Sequence, residues 1–303
     1  LSELLTLFGN NILPIFLAAS AGYLSARYLQ VEPQPVSKIA FYIFSPCLIF
    51  TLLTTSTLNG DDITRMVGFT FASVLALGLI TWVFGRLFKL ERRLMAAVLL
   101  TVMFGNAGNY GLSLNLFAFG ENALAYASLY FVIVAIMVYT IGVFIASLGS
   151  MNIKNALQGL LKVPAIYAVL LAMLFKGFDL SLAVPINRAV TVLSDAAIPV
   201  LMVLLGIQLY QIHWDGETLA ISISNVMRLV AAPLLAIGFG LAFGLDGAAY
   251  QAGVLESAMP TAVVMTVLAT EYDVRPTFVT TVVFTSTLLS PITVTPLLAI
   301  LGA

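Results

Sequence analysis

The sequence predicts an all-α polytopic membrane protein, with ten transmembrane helices laid out as two inverted repeats of five. Three observations lead there. Of the 303 residues, 61% are hydrophobic and only 9% are Asp, Glu, Lys or Arg. Soluble domains carry about a quarter charged residues, so most of this chain must face lipid. Apolar stretches of about 20 residues, the length that crosses a bilayer, recur along the whole chain. The two halves, residues 1–150 and 151–303, repeat the same punctuation at a shift of 150 residues.

The first half supplies spans at residues 4–25, 36–56, 63–85, 94–119 and 122–148. A polar connection with Asn152, Lys154, Asn155 and Gln158 follows. The second half supplies residues 161–178, 185–210, 218–243, 248–270 and 274–300. Glycines, asparagines or a proline interrupt the fourth and ninth. No Lys or Arg precedes the first stretch and no small-residue cleavage pattern ends it, so it reads as a span rather than a signal peptide.

Orientation follows from the cations. Odd-numbered connections carry nine of the 13: Arg27, Lys38, Arg86, Lys89, Arg92, Arg93, Lys154, Lys162 and Arg275. The even side carries Arg65, Lys176 and Arg188, and Arg228 belongs to neither. The odd connections are therefore placed in the cytoplasm of a cell-membrane protein, with both termini outside. A net charge near −1 and no long basic stripe exclude nucleic acid as a partner. The single cysteine, Cys47, permits no intramolecular disulfide or thiolate metal cluster. The single histidine, His213, lies beside Trp214 and Asp215 in a polar connection.

At the shift of 150, Pro14 meets Pro164, Pro35 meets Pro185, Lys38 meets Arg188 and Glu121 meets Glu271. The interruption at 106–113 falls on that at 256–263. With five spans per half, the second must be upside down relative to the first. Inverted repeats with broken helices at corresponding places mark secondary transporters, and the breaks mark the substrate region.

The fourth span holds Gly105-Asn106-Ala107-Gly108-Asn109-Tyr110-Gly111-Leu112-Ser113, a poor continuous helix. An opened backbone at membrane depth must face protein or a water-filled cavity. The ninth holds Glu256-Ser257-Ala258-Met259-Pro260-Thr261, where proline removes a donor. Glu256 at that depth is a functional group by default, with an ion pair to Arg228 as the structural alternative. Asp195 is the second deep carboxylate, in either a solvated vestibule or a direct binding role. Helices resuming near Leu112 and Thr261 would aim N–H groups at the centre, which suits an organic anion. The substrate-binding candidates are Asn106, Asn109, Tyr110, Ser113, Asp195, Arg228, Ser257, Met259 and Pro260.

These residues resemble the auxin efflux carrier family of the bile/arsenite/riboflavin transporter superfamily. The carrying segments are Lys38 through Pro46 to Leu53, Asp195-Ala-Ala-Ile-Pro199 to Leu209, and Arg228-Leu-Val-Ala-Ala-Pro233. Asn106 to Gly111, Glu256 to Pro260 and Leu268-Ala-Thr-Glu-Tyr272 complete the pattern. The resemblance implies the ten-helix fold of bile-acid sodium symporters, with the fourth and ninth helices crossing at their breaks. Helices 3–5 and 8–10 would move as an elevator past a scaffold of helices 1, 2, 6 and 7, which also forms a homodimer contact. Ser113 stands where many relatives have proline, leaving that break to Gly108 and Gly111. Glu256 and Met259 match an E-x-x-M element of the sodium-binding relatives.

An intramembrane protease is disfavoured, because Gly111-Leu-Ser113-Leu lacks the final glycine of the serine type and His213 is in a loop. The chain is read as a carrier, not an enzyme, for a small carboxylate, with an uncoupled uniporter or channel-like facilitator as the alternative. No cofactor is expected beyond a coupling ion. Asp195 and Glu256 against Arg228 leave one negative charge, costing at least about 2.5 kcal/mol at depth. Sodium or a proton would remove it, sodium being held by Glu256, Asn106 and carbonyls near Met259.

Overall fold

The computed structural model describes residues 2–55, 60–147, 161, 163–210 and 217–303. The polar connection around Lys154, Lys162, and the stretch holding His213 lie outside them. In chain order the helices are α1 (Ser2–Leu29), α2 (Pro33–Thr55), α3 (Gly60–Leu87) and α4 (Arg92–Met103). The helical stretch Ala107–Ala146 is broken at Gly120 (φ 78°, ψ −167°) into α5 (107–119) and α6 (121–146). Then come α7 (Pro164–Gly177), α8 (Val184–Tyr210), α9 (Thr218–Ala242), α10 (Gly247–Ser257), α11 (Val264–Glu271) and α12 (Pro276–Leu301).

The protein is all-helical and multi-span. Among the described residues, seven stretches are long and apolar enough to cross a membrane: α1, α2, α3, α5–α6, α8, α9 and α12. Leu17, Leu79, Trp82, Leu170, Leu234 and Ile292 are exposed on their outer faces, as a lipid-facing surface requires. The expected fourth and ninth spans are each two short helices. α4 and α10 have 12 and 11 residues, too few to cross alone.

Three π turns inside long helices share a cause. Phe8–Ile12 in α1, Ala40–Phe44 in α2 and Met227–Ala231 in α9 each end two residues before a proline: Pro14, Pro46 and Pro233. Proline lacks an N–H and its ring presses on the carbonyl four residues back. One wider turn moves that carbonyl aside and the helix continues. Pro199 in α8 and Pro291 and Pro296 in α12 are carried without such a turn.

The helices pack in two groups that cut across the sequence halves. In one, α1 and α2 lie on α8, and α2 also lies on α7. The α1–α8 crossing is close because it is made by glycines. A Cβ on Gly22 would overlap the Val203 carbonyl, and one on Gly206 would overlap the Ala19 carbonyl. Small residues that let backbones approach are the main source of helix cohesion in lipid. In the other group, α10 lies on α5–α6 and α3, while α12 lies on α4 and α11. The groups touch where α8 meets the first turn of α5, where α2 meets α5–α6 and where α1 meets α12.

Candidate functional site

Both short-helix pairs open at the same point. α4 stops at Met103, and Phe104 is extended (φ −109°, ψ 105°). Gly105 then pairs antiparallel with Thr261. Asn106 N–H donates to the Pro260 carbonyl (2.7 Å) and Ala262 N–H to the Phe104 carbonyl (2.9 Å). Backbone groups freed by the two breaks thus satisfy each other, as an interior without water demands. Thr261 reinforces the joint: its hydroxyl donates to the Thr101 carbonyl (2.7 Å) and its N–H to Ser286 Oγ (3.1 Å).

Arg228, from the π turn of α9, is 1% exposed and lies against this joint. Nε donates to the Met259 carbonyl (2.7 Å), Nη2 to Ser257 (2.6 Å), and Nη1 to Val102 and Met103 (3.0 and 3.4 Å). These are the orphan carbonyls at the C-terminal ends of α4 and α10, where the helix dipoles are negative. Gly105 makes room, since a Cβ there would overlap the guanidinium. The first break therefore rests on Gly105, upstream of Gly108 and Gly111, on which the sequence reading placed it.

Helix resumes at Ala107 and Val264, not near Leu112 and Thr261. Asn106 caps α5: its Oδ1 accepts from Asn109 N–H (3.3 Å), and Asn109 Nδ2 donates to Gln208 Oε1 of α8 (2.8 Å). Asn106 Nδ2 is buried without a partner. Asn106 and Asn109 both line a cavity of about 880 Å³, within the size range of small-molecule sites. Gly105–Asn109, leading into α5, and Ala262–Val264, leading into α11, form one wall of it. Lys38, Tyr42 and Ser45 of α2 line it as well, with Gln208 of α8 and Thr266, Thr270, Thr277 and Thr280.

Of the expected substrate residues, only Asn106 and Asn109 are on that wall. Tyr110 and Ser113 are fully buried, with the Tyr110 hydroxyl accepting from Ser290 Oγ (3.3 Å). Ser257 donates its hydroxyl to Gly253 and Tyr130, and Met259 and Pro260 are buried within the joint. Arg228 spends its donors on carbonyls. Asp195 lies on an exposed face of α8: depth along a helix was readable, but not the side it faces. Lys38 and Gln208 were not selected; Gln208, a polar residue inside an apolar span, was the available signal.

Glu256 is wholly buried and makes no ion pair within 4.0 Å to Arg228. Its Oε1 accepts from Asn115 Nδ2 (3.0 Å), and the carboxylate sits where a Cβ of Gly111 would be. Glu256 Oε2 and Asn115 Oδ1 have no partner. The three oxygen sources expected for sodium do not converge. Met259 O is held by Arg228 and Asn106 Oδ1 by Asn109 N–H, and the free atom of Asn106 is the donor Nδ2. No cluster of three or more His, Cys, Asp or Glu able to hold a metal occurs among the described residues.

Apolar helices broken at a shared point beside a cavity define a membrane transporter rather than an enzyme. The model of one family, described as membrane transport protein, matches residues 8–158 and again 148–298, so the chain belongs to this family, that of the auxin efflux carriers, and contains its unit twice. It is 25% identical over 263 residues to an uncharacterized transporter of Methanothermobacter thermautotrophicus, covering 86% of each chain. It is 27% identical to a proposed malonate transporter of Rhizobium meliloti, covering 95% of this chain and 93% of the relative. Auxin efflux carrier component 3a of Oryza sativa is 28% identical over 142 residues, 44% of this chain and 23% of that protein.

Proposed function

We propose that this transporter moves a small organic anion, a carboxylate of about the size of malonate, across the cell membrane by an elevator form of alternating access. The observation carrying this reading is the charge of the cavity wall. Among the described residues, Lys38 is its single charged side chain and no carboxylate lines it. The N-terminal ends of α5 and α11 add positive dipole ends, and Asn106 and Asn109 add polar side chains. Phe131, Val134 and Leu201 suit the hydrocarbon part of the ligand. The name of the Rhizobium meliloti relative points the same way.

In this reading α4–α5 and α10–α11 are the fourth and ninth of ten spans in two inverted halves. Both termini lie outside. The cavity reaches Pro33–Lys38 and Thr270–Thr277, in connections assigned to the cytoplasm, so it opens inward. The α1, α2, α7 and α8 group is the still scaffold and the homodimer contact; the other group carries the cargo.

Counterflow of labelled malonate into proteoliposomes tests the activity, alongside thermal stabilisation by a panel of solutes. Carboxylates are expected to exchange and to stabilise; stabilisation by cations or sugars but by no carboxylate would end the anion reading. In a Cys47→Ser background, cysteine pairs between α2 and α5 should trap two registers. A single register under all ligand conditions counts against the elevator.

A further inference from the structure

We propose that Arg228 is a built-in counter-cation of the crossing, so that the cavity takes up its anion without a bound sodium ion. The anion half of this statement rests on the function proposed above.

Two helix C-termini meet at Arg228, each equivalent to about half a negative charge. One guanidinium offsets both, and its flat fork reaches four carbonyls that a spherical ion would have to share. The positive ends of α5 and α11 are thereby left for the cavity. The fit is specific to arginine, because Gly105 leaves the space that the guanidinium fills. Tyr130 lies beside it as a further polar neighbour.

The case for a coupling cation weakens on the same geometry. The expected excess negative charge counted Asp195, which is exposed on α8 and off the cavity wall. Without it, the formally charged side chains buried among the described residues are Arg228 and Glu256, one of each sign, so a count of formal charge no longer leaves a negative excess. Asn106 lines the cavity wall, and its one unpartnered atom, the buried Nδ2, is a donor and so no ligand for a cation. Glu256 Oε2 and Asn115 Oδ1 are unpartnered buried oxygens on two side chains that touch each other, and sodium held by them is the competing outcome.

The test uses the full chain in lipid nanodiscs, with malonate titrated calorimetrically in sodium chloride or choline chloride at equal ionic strength. The dissociation constant should agree within about twofold; a tenfold or greater weakening in choline overturns the proposal. Arg228→Ala should lower the melting temperature, and millimolar guanidinium should restore it in that variant alone. A melting temperature that guanidinium leaves unchanged counts against the counter-cation. Should Arg228→Ala not fold, Arg228→Lys keeps the charge and loses the fork. It is expected to bind malonate at least about tenfold more weakly; binding equal to wild type would overturn the positioning role. If wild type binds no carboxylate in either salt, the anion reading has failed separately. Its melting temperature then decides the matter: equal in sodium and choline supports the built-in cation, and lower in choline overturns it.

Discussion

Where α4 gives way to α5, three residues without a proline, 104–106, open the backbone, and the Asn106 side chain caps the new helix. Where α10 gives way to α11, six residues, 258–263, do so around Pro260, and no side chain caps α11. The far ends differ too. α5 turns into α6 at Gly120, whereas α11 turns into α12 through Asp273 and Arg275, both with positive φ (51° and 46°). The first break places Asn106 and Asn109 on the cavity wall. The second supplies Ser257 and Met259 carbonyls to Arg228 and brings Glu256 against Gly111. Both arms give carbonyls to Arg228 and both line the cavity, but only the second carries a buried carboxylate.

The largest effect should come from closing the space between the arms. Gly105→Val would displace the guanidinium from its carbonyls and cost about 3 kcal/mol or more, read by thermal unfolding in detergent. Gly108→Ala meets only the edge of the Phe131 ring, at 3.0 Å, and should cost less than about 1 kcal/mol. Equal losses at the two positions would return the break to Gly108.

Next is the arm that carries Asn106. Asn106→Ala removes a cap worth about 1 kcal/mol and a polar side chain from the cavity wall, and should weaken carboxylate binding roughly fivefold to tenfold. Ser257→Ala, on the other arm, should leave affinity within about twofold, since its hydroxyl points at Gly253 and Tyr130. The reverse order in a binding titration would overturn the placement of the ligand against Asn106. Lys38→Gln should raise the transport KM about threefold at low ionic strength and less at high, as screening of a partly exposed charge predicts. Smallest of all, Asp273→Asn breaks the Arg93–Asp273 pair (3.1 Å) that ties the start of α4 to the turn after α11. Its side chains are 56% and 79% exposed, so the melting temperature should fall by less than the equivalent of about 0.5 kcal/mol.

The helices were legible because apolar length is a local property, and the breaks because Gly, Asn and Pro punctuate locally. The exact opening was not. Gly105 is fixed by Arg228, more than a hundred residues away, and no local pattern announces a guanidinium arriving from α9. The cavity wall was half legible for the same reason. Asn106 and Asn109 stand in the break itself, whereas Lys38 and Gln208 join it only through the packing of α2 and α8. Asp195 misled because its neighbours Ser194 and Ala197 turn inward while it turns out. The coupling-ion expectation counted Asp195 by its depth along the helix, and Asp195 is exposed on α8.

The joint between the arms is laced by main-chain bonds, Asn106 to Pro260 and Ala262 to Phe104. Its cohesion is therefore indifferent to most of the side chains around it. Ala107, Ala262, Val263 and Val264 line the cavity and give no side chain to those bonds, while Gly105 keeps the arginine seated. Such a wall offers positions at which the shape of the cavity can change without touching the main-chain joint.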